Sequence, residues 1–174
     1  MSIDLTIRQE QPYDYPKVYT LVKESFAMAS HSDGTEADYL NGLRTNYTFI
    51  PELSLVAEND DGTLVGQIVL YKTTITTPHE KFTELVLSPI CVHPKYFRRG
   101  IAHAMVEEAL HIAKGMGFRA VFLCGEPEIY GRLGFLPSYR YNIFHKTDKT
   151  AEWSMVRELY GGALNGITGT VDTV

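Results

Sequence analysis

The spacing of hydrophobic positions along the chain separates strands, in which apolar and polar residues alternate, from helices, in which apolar residues recur every three or four positions. Residues 3–8 alternate and predict a first strand. Residues 15–29 carry apolar side chains at helical spacing. Asp33 and Thr35 are possible N-caps of a second helix that runs to about Arg44.

Two apolar segments, 53–58 and 64–71, predict a β-hairpin. They flank Asn59-Asp60-Asp61-Gly62. Asparagine, aspartate and glycine tolerate positive φ, which tight hairpin turns require. Residues 84–92 then supply the next strand.

A long helix begins at Ile101 and ends at a pair of glycines. Its apolar positions recur at helical spacing, with charged residues between them. The nearly all-apolar residues 119–124 predict a strand that is buried on both faces. Residues 139–144 and 152–159 predict two final antiparallel strands, and the glycine-rich tail 161–174 predicts a loop with a short terminal strand.

Composition and charge narrow the function classes. The chain has 174 residues, of which 44% are hydrophobic and 21% charged, and we expect one globular domain over residues 1–174. The formal net charge of -5 argues against general nucleic-acid binding, which needs a basic surface. No apolar run approaches the roughly 18 residues of a membrane span, so we expect no membrane partner. The N-terminus lacks the basic-then-apolar order of a signal peptide, which predicts a cytoplasmic protein.

Cysteine and histidine positions do not predict a metal site. Cys91 and Cys124 lie in apolar, strand-like segments without metal-ligand spacing, and we expect both to be buried free thiols. The six histidines are scattered. His103 and His111 lie on the long helix and are expected at the surface.

The chemically informative stretch runs from Pro89 to Ala102. It contains an apolar strand, a proline-marked turn, Arg98 and Arg99, and then Gly100 at the start of the long helix. The first amides of a helix have no partners within it, and the helix dipole makes this end partly positive. Glycine lets a ligand approach the backbone, and the arginines add positive charge. This order predicts a phosphate or pyrophosphate site. The alternative is a solvated turn before a helix.

The same stretch resembles motif A of the GNAT acyltransferases, which is Arg/Gln-x-x-Gly-x-Gly/Ala after a strand that ends in Val-x-Pro. The match covers residues 97–102 and departs at Phe97, where the family has Arg or Gln. The resemblance implies that backbone amides hold the pyrophosphate of acetyl-CoA, and that the pantetheine arm pairs with the preceding strand. The cofactor-binding residues that it implies are Ile90, Cys91, Val92, Arg98, Arg99, Gly100, Ile101, Ala102 and His103.

A second resemblance lies in residues 130–135, Tyr-Gly-Arg-Leu-Gly-Phe, which are similar to the GNAT signature Tyr-x-x-x-Gly-Phe. Taken alone, a tyrosine before such a turn also indicates core packing. Segments 125–127 and 161–164 extend the resemblance, to the YhbS-like branch, over nearly the full chain. It implies a mixed α/β GNAT fold, in which a twisted, mostly antiparallel sheet opens between its fourth and fifth strands and is flanked by helices.

The resemblance also implies the chemistry, which is direct acetyl transfer from acetyl-CoA to a primary amine of a small molecule or a protein, without a metal. It assigns Tyr130 as the general acid, because a phenol with a pKa of about 10 stays protonated at neutral pH. Glu84 is the candidate base and Glu126 a second candidate. A solvated carboxylate is the alternative for Glu84, and many GNAT proteins use no dedicated base.

Two further expectations concern assembly and activity. GNAT proteins are often homodimers, and the resemblance extends this expectation to the chain. The alternative function is a regulatory module that binds acyl-CoA without catalysis, which the departure at Phe97 and the open question of the base leave in place.

Overall fold

The computed structural model describes residues 4–173. Ile3, which the alternation places in the first strand, lies outside the described residues. Four α-helices and nine strands form within this part of the chain. In chain order they are β1 (Leu5–Gln9), α1 (Tyr15–Phe26), α2 (Glu36–Leu43), β2 (Phe49–Asn59), β3 (Leu64–Thr76), β4 (Lys81–Val92), α3 (Ile101–Gly115), β5 (Ala120–Cys124), α4 (Pro127–Gly131), β6 (Leu136–Pro137), β7 (Ile143–His145), β8 (Ser154–Glu158) and β9 (Gly169–Val171).

The strands form a mixed, mostly antiparallel sheet. Hydrogen-bonded neighbours follow the order β1-β2-β3-β4-β5-β8-β6, and β9 pairs with β3 and β7. The β4–β5 and β7–β9 pairs are parallel. The β4–β5 register consists of Leu85 with Val121 and Val86 with Phe122, although β4 continues to Val92. The predicted mixed α/β fold, with a mostly antiparallel sheet that opens between its fourth and fifth strands, is therefore confirmed.

The backbone divides into two compact units, of which the first contains residues up to Val69 together with Ser88–Ala109. A close packing contact in this unit joins β3 to α3. A β-carbon built on Gly66 would lie 2.9 Å from Met105 Cε and 3.0 Å from Met105 Sδ. Glycine at this position therefore lets the helix pack directly on the sheet.

The β2–β3 connection in this unit is the predicted hairpin. Gly62 has a φ of 83° and donates its N–H to the Asn59 carbonyl at 3.0 Å. Asn59 in turn donates its N–H to the Thr63 carbonyl at 3.0 Å. The positive φ explains why glycine occupies this turn position.

α1 stops at Phe26, earlier than its apolar pattern predicts. α2 begins after its N-cap residue Thr35 and ends at Leu43, as predicted, although the Thr35 side chain makes no capping hydrogen bond. Asp33 instead accepts the Thr35 N–H at 2.9 Å, within the loop between the helices.

Two ion pairs tie this unit together near its first strand. Arg44 donates to both oxygens of the Glu10 carboxylate, at 2.6 and 3.0 Å, and both side chains are buried. Ser54 donates to the same carboxylate at 3.0 Å. Arg8 donates to the two oxygens of Asp14 at 2.7 and 2.9 Å, and this hydrogen-bonded cation lowers the pKa of Asp14.

The second unit contains Leu70–Leu87 and the residues from Leu110 onward. Its buried core cluster is Ile75, Ala120, Phe122, Ile143, Val156, Leu164 and Val171. The division passes through β3, β4 and α3, and one domain over residues 1–174 stays a prediction.

The C-terminal strands of the second unit differ from the sequence prediction. Residues 138–141 form a 3₁₀ turn instead of the start of a strand, and Asn142 then takes a left-handed φ of 62°. The strand that follows, β7, is short and pairs in parallel with β9. The predicted antiparallel strand over 139–144 is wrong, because the turn leaves only three residues to pair. The short terminal strand is confirmed as β9.

Candidate active site

The turn between β4 and α3 contains two residues in the left-handed region. Arg98 has a φ of 63° and Gly100 a φ of 78°. Turns of this kind can direct successive N–H groups to one side and so form an anion-binding concavity. A β-carbon on Gly100 would meet no heavy atom within 4 Å. The backbone conformation, and not crowding, therefore requires glycine here.

The open end of α3 follows directly. The Gly100 carbonyl accepts the Ala104 N–H at 3.0 Å, which is the first bond of the helix. The N–H groups of Ile101, Ala102 and His103 precede this bond and have no acceptor within the helix. The Ile101 side chain is buried, whereas His103 is exposed, as predicted. The turn thus combines free N–H groups, the positive end of a helix dipole and two arginines.

Along β4, the main-chain N–H and C=O groups of successive residues point alternately toward β3 and away from it. His93 donates its N–H to the Val65 carbonyl at 2.9 Å, so its main chain faces β3. Because neighbouring residues of a strand direct their N–H and C=O groups to opposite sides, Ile90 and Val92 direct theirs away from β3.

The two cysteines differ from each other. Cys91 is buried and receives a weak hydrogen bond from Gln67 Nε2 at 3.7 Å, and burial raises the pKa of its thiol to about 11. Cys124 is exposed, which corrects the expectation of a buried thiol. It is the last residue of β5, and its Sγ lies 2.8 Å from Thr173 Oγ1. Residues 4–173 contain no cluster of three or more histidine, cysteine or acidic residues that could hold a metal ion.

Tyr130 lies in α4 with a half-buried ring. The ring packs edge-on against Phe135, with 6.3 Å between centroids, and also against Gly125, where a β-carbon would lie 2.5 Å from Tyr130 Cδ2. Burial, together with the nearby Glu126 carboxylate, raises the pKa of the Tyr130 phenol. The phenol makes no hydrogen bond to another residue of the described chain.

The Gly-Phe part of the second motif closes the turn after α4. Gly134 has a φ of 88°, and Phe135 donates its N–H to the Tyr130 carbonyl at 3.1 Å. The Phe135 side chain is fully buried. The motif therefore fixes the helical turn that carries the tyrosine.

Glu84 is buried and fully engaged. One carboxylate oxygen accepts the N–H groups of Arg119 at 2.7 Å and Ala120 at 3.3 Å, and the other accepts from the Arg119 guanidinium at 3.2 Å. Only 1% of its surface is exposed, so the alternative of a solvated carboxylate is wrong. These contacts tie the start of β5 to β4.

The predicted site residues fall into two groups. Residues 90–92 and 98–103 belong to the first unit, whereas Glu84 and Tyr130 belong to the second. Sequence reasoning overlooked the contact between Gly125 and Tyr130, because a glycine that precedes a short helix gives no sign of what it faces. It also overlooked the left-handed Arg98, since arginine has no preference for this conformation.

Comparisons with known proteins bear on this geometry. A model of the GNAT acetyltransferase domain matches residues 6–137. The chain is 31% identical over 168 residues to the uncharacterized N-acetyltransferase YhbS of Escherichia coli K12. These residues make up 97% of this chain and 95% of the relative.

The chain is also similar to solved structures of GNAT acetyltransferases. The crystal structure of the GNAT family N-acetyltransferase YhbS from Escherichia coli in complex with CoA is similar with a TM-score of 0.85 and 28% identity, over 100% of this chain and 92% of that one. A GNAT family acetyltransferase from Brucella melitensis in complex with acetyl-CoA is similar in fold with a TM-score of 0.76 and 24% identity, over 98% and 96% of the two chains.

No helix in residues 4–173 is long and apolar enough to cross a membrane.

Proposed function

The chain belongs to the GNAT family of acetyltransferases, and from this premise we propose that it transfers an acetyl group directly from acetyl-CoA to a primary amine. The observation that carries the proposal is the turn with left-handed Arg98 and Gly100 at the open end of α3. The Escherichia coli and Brucella melitensis relatives were crystallised with CoA and acetyl-CoA, respectively.

The residues of the turn fit a pyrophosphate. The N–H groups at the start of α3 would donate to its oxygens, and the guanidinium groups of Arg98 and Arg99 would neutralise its charge. Phe97 cannot replace the arginine or glutamine of the family motif as a polar contact. Backbone amides and the two following arginines therefore carry phosphate recognition in this proposal.

The main chain of β4 suits the pantetheine arm. Ile90 and Val92 direct their N–H and C=O groups away from β3, where amide groups of the arm could pair with them as an added strand. One of these N–H groups could also polarise the thioester carbonyl as negative charge develops on its oxygen. The Cys91 thiol is buried, and burial raises its pKa, so it is not the acyl acceptor in this proposal.

The reaction is a nucleophilic substitution at the thioester carbonyl. The amine nitrogen attacks the carbonyl carbon, a C–N bond forms, and the C–S bond breaks. Tyr130 donates its proton to the departing thiolate, which leaves as CoA thiol, and the phenolate then recovers a proton from solvent. The raised pKa keeps the phenol protonated at neutral pH, which suits this role.

The amine must lose a proton during this reaction. The observed contacts of Glu84 count against it as the base, because its oxygens already accept three N–H groups. We propose that Glu84 has a structural role and that the proton leaves to water or to the exposed Glu126. The acceptor is a primary amine of a small molecule or a protein.

The first experiment is a calorimetric titration with acetyl-CoA. We expect the wild-type protein to bind, and R98A/R99A to bind markedly more weakly. The variant R140A/K149A removes the same charge from exposed positions elsewhere and should bind like the wild type. If the wild type does not bind acetyl-CoA, the proposal fails.

A second experiment separates the enzyme from a regulatory module without catalysis. Release of CoA thiol is measured with a panel of amines for the wild type and Y130F. General acid catalysis contributes about 10²- to 10⁴-fold, so Y130F should lose about that factor in turnover and keep its affinity for acetyl-CoA. Binding without thiol release on any amine would favour the regulatory module.

A further inference from the structure

A buried histidine that the proposed reaction does not use lies in the second unit. His145 is the last residue of β7, and only 2% of its surface is exposed. Ile143, two residues earlier on the same face of the strand, belongs to the buried core cluster of this unit. The imidazole therefore lies at one end of the core, where a polar ring needs hydrogen-bond partners.

The hydrogen bonds of this ring determine where its proton lies. Nδ1 accepts the Thr147 main-chain N–H at 3.2 Å, and the Thr147 hydroxyl lies 3.0 Å from the same nitrogen. Because a main-chain N–H can only donate, Nδ1 carries no proton, and the ring N–H belongs to Nε2. Nε2 is buried and has no hydrogen-bond partner among residues 4–173. A buried donor without an acceptor is rare in a folded protein, and a ligand that supplies the acceptor would gain a hydrogen bond.

One exposed aromatic side chain covers the imidazole. The Trp153 ring meets the His145 ring edge-on, with 4.6 Å between centroids and 64° between the ring planes. Trp153 is 38% exposed, whereas His145 is almost fully buried. The indole therefore separates the imidazole from solvent on this side. Within residues 4–173 the indole N–H makes no hydrogen bond, so packing alone holds this side chain in place.

The main chain around this indole is fixed beside the residues that carry the reacting tyrosine. The Trp153 carbonyl accepts the Gly125 N–H at 2.9 Å. The next residue, Ser154, opens β8 and pairs with Cys124. Gly125 is also the residue against which the Tyr130 ring packs. Only the Trp153 side chain is therefore able to turn away, and such a turn exposes Nε2 close to the end of β5.

We propose that the acceptor amine turns the Trp153 indole aside and receives a hydrogen bond from His145 Nε2 on a carbonyl oxygen. The amine and the departing thiol are bonded to the same thioester carbon during transfer, so the acceptor enters close to Tyr130. A neutral oxygen suits the buried N–H, because burial of a carboxylate is costly unless a cation pairs with it. The acceptor class is therefore a primary amine that also carries an amide group. This assignment rests on the proposed function, since it names the acceptor of that reaction.

Three pairs of amines test the role of the carbonyl. Glycinamide, β-alaninamide and γ-aminobutyramide place the amide at increasing distances from the amine. Isobutylamine, isopentylamine and isohexylamine have the same shapes and lack the polar oxygen. The sequence contains one tryptophan, so the tryptophan emission of the protein reports on Trp153 alone. We expect at least one amide to change this emission in the absence of acetyl-CoA, and its alkyl counterpart to leave the emission unchanged.

Two substitutions of His145 separate the roles of its two nitrogens. H145N keeps an oxygen near the position of Nδ1, which can accept the Thr147 N–H, and has no donor at the position of Nε2. H145Q instead places an amide N–H near Nε2. H111N changes an exposed histidine on α3 and is the matched control.

The enzymatic readout is the preference in kcat/KM for each amide over its alkyl counterpart. A hydrogen bond corresponds to about tenfold in affinity, so H145N should lose about that factor of preference, whereas H145Q should keep part of it and H111N all of it. Because every variant is tested with the same pair, the difference in basicity between the two amines cancels. Thermal unfolding checks that each variant is folded. If H145N does not fold, W153A replaces it: removal of the cover should lower KM for the amide and not for the alkylamine.

The possible results separate this inference from the proposed function. The inference is overturned if no amide changes the Trp153 emission and no pair shows a preference, or if H145N keeps the full preference of the wild type. Acetylation of both members of every pair with equal kcat/KM would leave the proposed function intact and remove the inference. An amide that changes the emission of the wild type, with no acetylation of any amine, would support the binding site and count against the proposed function.

Discussion

Gly125 and Tyr130 are packed so closely that no side chain fits between them. A β-carbon on Gly125 would lie 2.5 Å from Tyr130 Cδ2 and still closer to Cε2, with Leu123 Cδ1 at 3.2 Å behind it. The position of the phenol therefore depends on the absence of a side chain at residue 125.

We expect G125A to displace the ring and to lower kcat for acetyl transfer, with little change in acetyl-CoA affinity. A displaced ring holds its hydroxyl away from the departing thiolate. The effect on kcat should therefore resemble that of Y130F, which lacks the hydroxyl. The matched control is G131A in α4, the helix that carries Tyr130, where a β-carbon would meet nothing within 4 Å. Equal activity of G125A and G131A would contradict the assigned role of the phenol.

The pH dependence of turnover should respond to Glu126. Its negative charge helps to raise the pKa of Tyr130, because it disfavours the phenolate. In E126Q this contribution is lost and the pKa of Tyr130 falls. The phenol then deprotonates at a lower pH than in the wild type and can no longer donate a proton. We therefore expect the alkaline limb of the kcat profile to move to lower pH, while an unmoved limb would mean that another group controls it.

Removal of the Glu84 carboxylate should affect stability and not chemistry. E84A leaves the buried N–H of Ala120 and the Arg119 amide without their acceptor, at a cost of about 2–4 kcal/mol in the free energy of unfolding. Denaturant unfolding measures this loss, and kcat per folded molecule should match the wild type. A large fall in kcat with unchanged stability would restore Glu84 as the base.

A substitution at Gly100 should weaken acetyl-CoA binding through the backbone. G100A must hold alanine at a φ of 78°, which costs about 1–2 kcal/mol although space for the methyl group is available. G115A, at the other end of α3, has open space and no positive φ and serves as the control. We expect calorimetry to show weaker binding only for G100A; equal affinities would argue against a role for this turn.

Acid stability should depend on Asp14. Arg8 lowers its pKa in the folded state, so the ion pair stabilises the fold at pH values above the unfolded pKa of about 3.9. This stabilisation is lost as pH falls through the lowered folded pKa. D14N should therefore be less stable than the wild type at neutral pH, and the difference should shrink in acid. A difference independent of pH would show that packing, and not charge, is what Asp14 supplies.

Patterns that are local in sequence predicted much of this structure. The hairpin at Gly62, the helix from Ile101 and the turn before Gly100 each depend on residues within a few positions of each other. The surroundings of Glu84 could not be predicted in this way, because its main partner, Arg119, lies 35 residues away. The 3₁₀ turn over residues 138–141 was not predicted, because the sequence of this segment is equally compatible with a strand.

The candidate site shows the same division. Motif resemblance identified Tyr130, but the contact with Gly125 depends on how the chain folds back before α4. Likewise, the exposure of Cys124 follows from its place at the end of β5, which an apolar segment does not reveal.

Gly66 determines how closely α3 packs on β3. Its missing side chain lets Met105 approach β3, and a β-carbon there would also lie 3.1 Å from the Cys91 carbonyl. Any larger residue would push α3 away from β3 and shift the N-terminal end of the helix, which we propose to bind the pyrophosphate, relative to the strand beneath it. A random screen for loss of coenzyme affinity should therefore recover position 66, although this residue lies beneath the helix and is not among those assigned to the coenzyme.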